Sequence, residues 1–126
     1  MPNETILVVS SMEHQSRLIC DCLQHAGYQV LLDDLGERAL GTILERSPDL
    51  ALVDWKLPDL SGLALIRMIR SDELASKLPI ILTGAGMREE DLILGLDAGA
   101  DICLKEPFHS EIIIARVRAL LRRCYV

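Results

Sequence analysis

Two apolar runs in this chain end on side chains able to handle an anion. The run DLALVDW delivers Asp54, and the run PIILTGAG delivers Thr83 at matching depth, with Gly84 next and Gly86 two further on. A carboxylate beside a hydroxyl, with glycines that let backbone approach closely, makes a small anion-handling pocket. A third run, ILVV from Ile6 to Val9, ends on Ser10 and Ser11, two hydroxyls that bring no charge. A fourth leads into Lys105, Glu106 and Pro107, which add a cation and an anion.

These residues need a scaffold that gathers strand ends. Short apolar runs bounded by turns alternate along the chain with stretches of helical period, the pattern of βα units building a parallel sheet. The expected strands are residues 6–9, 29–32, 50–53, 80–82 and 102–104. Strands buried on both faces should read as unbroken aliphatic runs, and these do. A first helix over 14–26 places Leu18, Ile19, Cys22, Leu23 and Ala26 on one stripe and stops at Gly27. Further helices are expected over 37–46, from Ser61 through Ile69, over 89–98, and over 110–123, with Ser61 and Ser110 as caps. Right-handed crossovers then give an α/β, doubly wound, three-layer sandwich with a five-stranded parallel sheet. Its crevice lies beyond the carboxyl ends of the strands, where Ser10, Ser11, Asp54, Thr83, Lys105, Glu106 and Pro107 fall.

With 126 residues the chain is expected to be one domain, residues 1–126. Only 3% of residues are aromatic, so aliphatic side chains must fill the core. A net charge of −6 argues against direct binding of nucleic acid or anionic lipid, since both need a basic field. No signal peptide and no apolar stretch of membrane-spanning length is visible, which points to a cytoplasmic location. Cys20 and Cys22 point to different faces of one helix and cannot share a metal, while Cys103 and Cys124 stand alone. All four read as reduced thiols. Trp55, His14, His25 and His109 read as surface or rim side chains.

The chain resembles, over nearly its full length, the response-regulator receiver domains of two-component signalling. The motifs are ILVV, DLALVDWKLPDLSGL with Asp54, Pro58 and Gly62 in the family's spacing, LPIILTGAG around Thr83, and GLDAGADICLKEPF leading to Pro107 and Phe108. RVRALLRR resembles the last helix of receivers attached to winged-helix transcription factors. The resemblance implies the CheY-like, flavodoxin-like strand order 2-1-3-4-5. It also implies that Asp54 accepts a phosphoryl group from a histidine kinase and that Thr83 is the switch hydroxyl. Mg²⁺ would be held by Asp54, by the Lys56 carbonyl and by an acidic pair after the first strand. A cis peptide bond is implied before Pro107. So is homodimerisation through the fourth helix, fifth strand and fifth helix, with Asp97, Asp101, Arg116 and Arg118 in its salt bridges. A DNA-binding output domain beyond residue 126 would fit the same kinship.

The chain departs from that family at three places. Ser10 and Ser11 stand where the acidic pair belongs, Glu106 where a lysine belongs, and Cys103 where a switch aromatic belongs. Alternation along the strand points Lys105 away from the pocket. Neutral hydroxyls give a hard divalent cation no charge in exchange for its water, so Mg²⁺ binding is expected to be weak or absent. The leading reading is a degenerate receiver: a signalling and interaction module, not a conventional enzyme, that retains Asp54 and works partly or wholly without phosphorylation. The alternative is a conventional phosphoaccepting receiver controlling transcription, its ligands rearranged around Glu13 or Glu106. A flavodoxin-like cofactor carrier is more remote, because one Trp, two Tyr and one Phe leave little to flank a flavin. GAGMRE lacks the third glycine of a dinucleotide site and does not follow the first strand.

Overall fold

The computed structural model describes residues 3–124, the side chain of Cys124 excepted, so the expectation of a reduced thiol there lies outside the described residues. Strands and helices alternate as β1 (Thr5–Val9), α1 (Glu13–His25), β2 (Gln29–Asp33), α2 (Gly36–Arg46), β3 (Leu50–Asp54), α3 (Gly62–Ser71), β4 (Ile80–Ala85), α4 (Glu89–Ala98), β5 (Ile102–Glu106) and α5 (Ser110–Cys124). The sheet is parallel throughout in the order β2-β1-β3-β4-β5. The strand order and the doubly wound architecture are those the sequence implies.

Period-two alternation divides the sheet's side chains between two apolar layers. Leu7, Val9, Ala51, Val53, Ile80 and Leu82 pack against Ala39 and Ile43 of α2 and Leu65, Ile66 and Ile69 of α3. Ile6, Val8, Leu50, Leu52 and Ile81 pack on the other face against Leu23 of α1 and Ile113, Val117 and Leu120 of α5. Burying each large aliphatic side chain contributes roughly 1.5–3 kcal/mol. β3, with neighbours on both sides and helices on both faces, is buried at every position. β2, at an edge, is not.

Four strands run past the carboxyl ends of their apolar stretches, β2 by taking in Asp33. β3 takes in Asp54, β4 reaches Ala85 and β5 reaches Glu106. The ladder needs only backbone groups, so pairing continues through Thr83↔Leu104, Gly84↔Lys105 and Ala85↔Glu106 although the side chains turn polar.

Helix α1 keeps Ile19, Leu23 and Ala26 of its expected stripe on the core and departs from it at Leu18. Leu18 is 57% exposed, and the inward side carries Ser16 and Leu23, with Ile19 and Cys20 half-buried. Ser16 tolerates burial because its hydroxyl donates to the Met12 carbonyl at 2.9 Å and so needs no outside partner. At α3, Ser61 caps as expected, its Oγ accepting from the Ala64 N–H at 3.0 Å. The start of α2 is capped from a distance: Asp59 accepts from the N–H groups of Gly36 at 2.9 Å and Glu37 at 2.8 Å.

Arg70 closes the end of the sheet opposite the crevice. Its Nε donates to the Gly99 carbonyl at 2.9 Å, and Nη1 to those of Ser76 at 2.9 Å and Leu78 at 2.6 Å. Nη2 meets Asp101 Oδ2 at 3.0 Å, and that oxygen also accepts the Ile80 N–H at 2.8 Å. Asp101, implied at a dimer face, is thus engaged inside the chain. Asp97, Arg116 and Arg118 are exposed. Arg70→Ala strands three carbonyls and a carboxylate, so urea denaturation should show a loss of about 2–3 kcal/mol. Arg70→Lys, lacking the planar fork, should recover less than half. A loss within experimental error would show that water replaces the clasp.

Candidate functional site

Alternation that sorts the core also builds the site. Asp54 follows Leu50 and Leu52 on the α1/α5 face of the sheet, Thr83 follows Ile81, Ser10 follows Ile6 and Val8, and Glu106 follows Ile102 and Leu104. Register brings them together, because Asp54 aligns with Thr83 and Val53 with Val9. Asp54 is 6% exposed, Thr83 5% and Ser10 9%. Ser11, one step on, is exposed and takes no part in this cluster.

Asp54 is held by the turn that follows it. Lys56 N–H donates to Asp54 Oδ1 at 3.4 Å, Trp55 N–H to the Thr83 carbonyl at 2.9 Å, and Gly62 N–H to the Trp55 carbonyl at 2.9 Å. Lys56 and Ser61 pair as an isolated antiparallel bridge. Gly62 is required, since a Cβ there would overlap the Asp54 carbonyl. Burial pushes the Asp54 carboxyl up. The N–H groups of Lys56 and Trp55, the Ser10 hydroxyl and the Lys56 charge offset only part of that, leaving it above its ordinary value.

β5 supplies the opposing charge. Glu106 is half-buried, and its Oε1 is buried without a hydrogen-bond partner. Burial first, and the Asp54 charge second, raise its carboxyl above the ordinary range. Glu106 thus turns its Oε1 inward, on the sheet face that carries Asp54. Lys105 is exposed, as the alternation requires. The peptide bond between Glu106 and Pro107 is cis, as the resemblance implied.

A Mg²⁺ ion seated at Asp54 would draw on that carboxylate and the Lys56 carbonyl, with Glu106 the other carboxyl group turned toward this face of the sheet. Among the described residues no group of three His, Cys, Asp or Glu side chains comes together that could hold a metal. Glu13, an alternative ligand from the sequence, is exposed and pairs with Arg17 at 3.1 Å. Ser10 offers the position a neutral oxygen, and a hard divalent cation favours charged ones.

Trp55 was expected at the rim and is in fact fixed there. Its Nε1–H donates to the Ala85 carbonyl at 3.0 Å, and its ring occupies the space that a side chain at Gly84 would take. Lys56 Nζ lies 5.1 Å from the ring centroid. Gly84 thus makes room for an indole, not for an anion. A glycine one residue past Thr83, with a lone tryptophan one residue past Asp54, was the signal available in the sequence.

The sequence matches the family described as "Response regulator receiver domain" over residues 6–118. It is 39% identical to the phosphate regulon transcriptional regulatory protein PhoB of Pseudomonas aeruginosa, over 98% of this chain and 54% of that protein. The chain belongs to the response regulator receiver family. Among solved structures, the receiver domain of Francisella response regulator 1452 superposes with a TM-score of 0.89 at 28% identity, covering 97% of this chain and 99% of that one. The receiver domain of the sensor histidine kinase PA1611 from Pseudomonas aeruginosa, with a magnesium ion coordinated in its active-site cleft, gives 0.87 at 28% identity, covering 94% and 98%. This receiver spans about half the length of the curated relatives it matches. No helix of its described residues is long and apolar enough to cross a membrane.

The two carboxyls make the receiver's stability depend on pH with a definite sign. An acid whose folded-state pKa is raised favours the fold below its unfolded pKa, and that contribution is lost as pH rises through the folded value. Asp54→Asn and Glu106→Gln should therefore each raise the melting temperature at neutral pH, by an amount that shrinks toward zero as the solution is acidified. Because Asp54 repels Glu106, the double variant should gain less than the sum of the singles. Additive gains, or gains that grow in acid, would contradict the pairing.

Proposed function

We propose that this receiver is a signalling and interaction module that keeps the acceptor aspartate and works partly or wholly without magnesium-dependent phosphorylation. The observation that carries it is Glu106. A carboxylate stands where the family has a lysine, turns toward the sheet face that carries Asp54, and opposes the charge of any phosphoryl group placed there. Ser10, buried beside Asp54, adds a hydroxyl where an acidic ligand would strengthen metal binding. The chemistry on offer is acceptance at one carboxylate, so the module is not a conventional enzyme.

Its partners follow from kinship. A histidine kinase or another signalling protein addresses Asp54 or the surface around it. Relatives named as transcriptional regulators extend to about twice the matched length, which supports a DNA-binding output domain in the whole protein. A homodimer face of α4, β5 and α5 is supported by exposed Ile93, Leu94 and Leu96 on α4, with Asp97, Arg116 and Arg118 as charged rim groups that steer pairing more than they strengthen it. Asp101 is dropped from that set, being held by Arg70.

A conventional phosphoaccepting receiver is the second reading, favoured by the alignment of Asp54 with Thr83 and by the magnesium in the PA1611 receiver. Incubation with acetyl phosphate and Mg²⁺ separates the two. The proposed module should be modified slowly, with Mg²⁺ accelerating it little. The triple variant Ser10→Asp, Ser11→Asp, Glu106→Lys should gain a Mg²⁺-dependent rate of about a thousandfold, the scale of several kcal/mol of metal and charge assistance. Rapid, Mg²⁺-dependent modification of the unaltered chain would establish the conventional reading instead.

A further inference from the structure

Helix α4 is held to the sheet in a way that its own packing does not explain. Of its ten residues Gly95 is the buried one, and a glycine brings no side chain to the core. A Cβ at that position would run into Leu82 and Cys103, so the helix lies against the sheet on its smallest residue. Three of its large apolar side chains are instead turned to solvent: Ile93 is 59% exposed, Leu96 50% and Leu94 45%. Leu92 and Ala98 are only partly buried on the α2/α3 layer. With so little apolar surface taken from water, the hold on α4 falls to its two ends.

One end is clasped by Arg70, whose Nε donates to the Gly99 carbonyl at 2.9 Å. The other depends on Trp55. β3 stops at Asp54, which aligns with Thr83, and the Trp55 N–H closes that ladder on the Thr83 carbonyl at 2.9 Å. β4 runs on to Ala85 without β3 beside it. Carbonyls two apart in a strand point the same way, so the Ala85 carbonyl looks toward the β3 side, and there the Trp55 Nε1–H meets it at 3.0 Å. A side chain thus supplies the donor that a longer β3 would have supplied. Gly84, between the two carbonyls, leaves the ring its seat. Beyond Ala85 comes Gly86, in the left-handed region at φ 74° with open space where a side chain would be. Met87 follows, buried in the α2/α3 layer, and α4 begins at Glu89.

We propose that the Trp55 indole is a releasable latch on α4. Seated on Gly84 and bonded to the Ala85 carbonyl, it holds the segment from Ala85 into α4 against the sheet. Its withdrawal frees that segment to turn at Gly86, while Arg70 keeps the far end of the helix in place. Trp55 directly follows Asp54, so an event in the turn after β3 reaches α4 through one side chain. Because α4 carries the exposed Ile93, Leu94 and Leu96, the latch sets how that apolar face is presented to a partner. The device needs neither a metal nor a covalent step and operates whether or not Asp54 accepts a phosphoryl group. Trp55 is a positioning residue that acts through the backbone of Ala85.

Hydrogen exchange of the 126-residue chain, followed by mass spectrometry, tests the latch. Trp55→Phe keeps a ring on Gly84 but removes the donor, so amides from Gly86 to Ala98 should exchange about threefold to tenfold faster, the scale of one lost hydrogen bond. Gly84→Ala drives a Cβ into the ring and should speed the same amides at least as much, with emission from the single tryptophan shifting to the red as the indole leaves its seat. The double variant should exchange no faster than Gly84→Ala alone, since both changes break one contact. Amides of α2 and α5 should keep their rates in Trp55→Phe, which a general loss of stability would not allow. Should Gly84→Ala fail to fold, Trp55→Phe decides alone. Unchanged exchange across α4 in Trp55→Phe, or an acceleration shared equally by α2 and α5, overturns the latch and leaves the interaction module standing. Rapid Mg²⁺-dependent modification of Asp54 would overturn that module and leave the exchange result as it is.

Discussion

A strand buried on both faces that ends in a carboxylate sets the terms for everything around it. β3 is the middle of the sheet and has no exposed residue, so Asp54 cannot reach water freely and must be served by the chain itself. The Lys56 N–H and the Ser10 hydroxyl supply hydrogen bonds. The turn from Trp55 to Gly62 folds back tightly enough that only glycine fits at its close. Thr83 arrives by register and not by chance, because the β3–β4 ladder aligns it with Asp54. Burial still outweighs these donors, which is why the carboxyl remains above its ordinary value.

The same period of two decides the sign of the site's other charge. Lys105 and Glu106 are adjacent, so one must turn toward the α1/α5 face and the other away. Ile102 and Leu104 pack toward that face, which commits Glu106 inward and leaves Lys105 exposed. A one-residue offset between lysine and proline thus converts an attractive partner for an anion into a repulsive one. Desolvation compounds the effect, since Glu106 Oε1 is buried with nothing to bond.

Most of the scaffold was legible because it is written in local periodicity. The bounds of α4, the five-strand pattern and the cap at Ser61 all follow from spacing that one segment carries by itself. Other features depend on which distant atoms a side chain meets, and no spacing encodes that. Arg70 binds carbonyls up to 29 residues away and Asp101 at 31. Asp59 caps a helix 22 and 23 residues upstream. Leu18 lies at the margin of the α1 stripe and is exposed, while Ile19, Leu23 and Ala26 pack on the core and Ser16 is buried with its hydroxyl bonded to the Met12 carbonyl. The cluster at Asp54 was readable residue by residue. The exclusion of Ser11 and the seating of Trp55 on Gly84 were not, because both depend on how the chain leaves a strand end.

Replacing acids by hydroxyls at the end of β1 has a consequence for the metal-free state. Acidic groups gathered to hold a divalent ion repel one another whenever the ion is absent, and that repulsion disfavours the fold until metal or protons relieve it. Ser10 removes such a charge and gives a hydrogen bond in its place, so β1 and β3 meet at their ends without an ion between them. Glu106 restores part of the repulsion from the far side of the site, on an edge strand where the backbone is less constrained than in β3. The net arrangement is a carboxylate whose near side is neutral and hydrogen-bonded and whose far side is negative. Among the described residues Lys56 is the cation whose charge offsets part of the burial of Asp54, and its ammonium stands over the Trp55 ring, not in contact with that carboxylate.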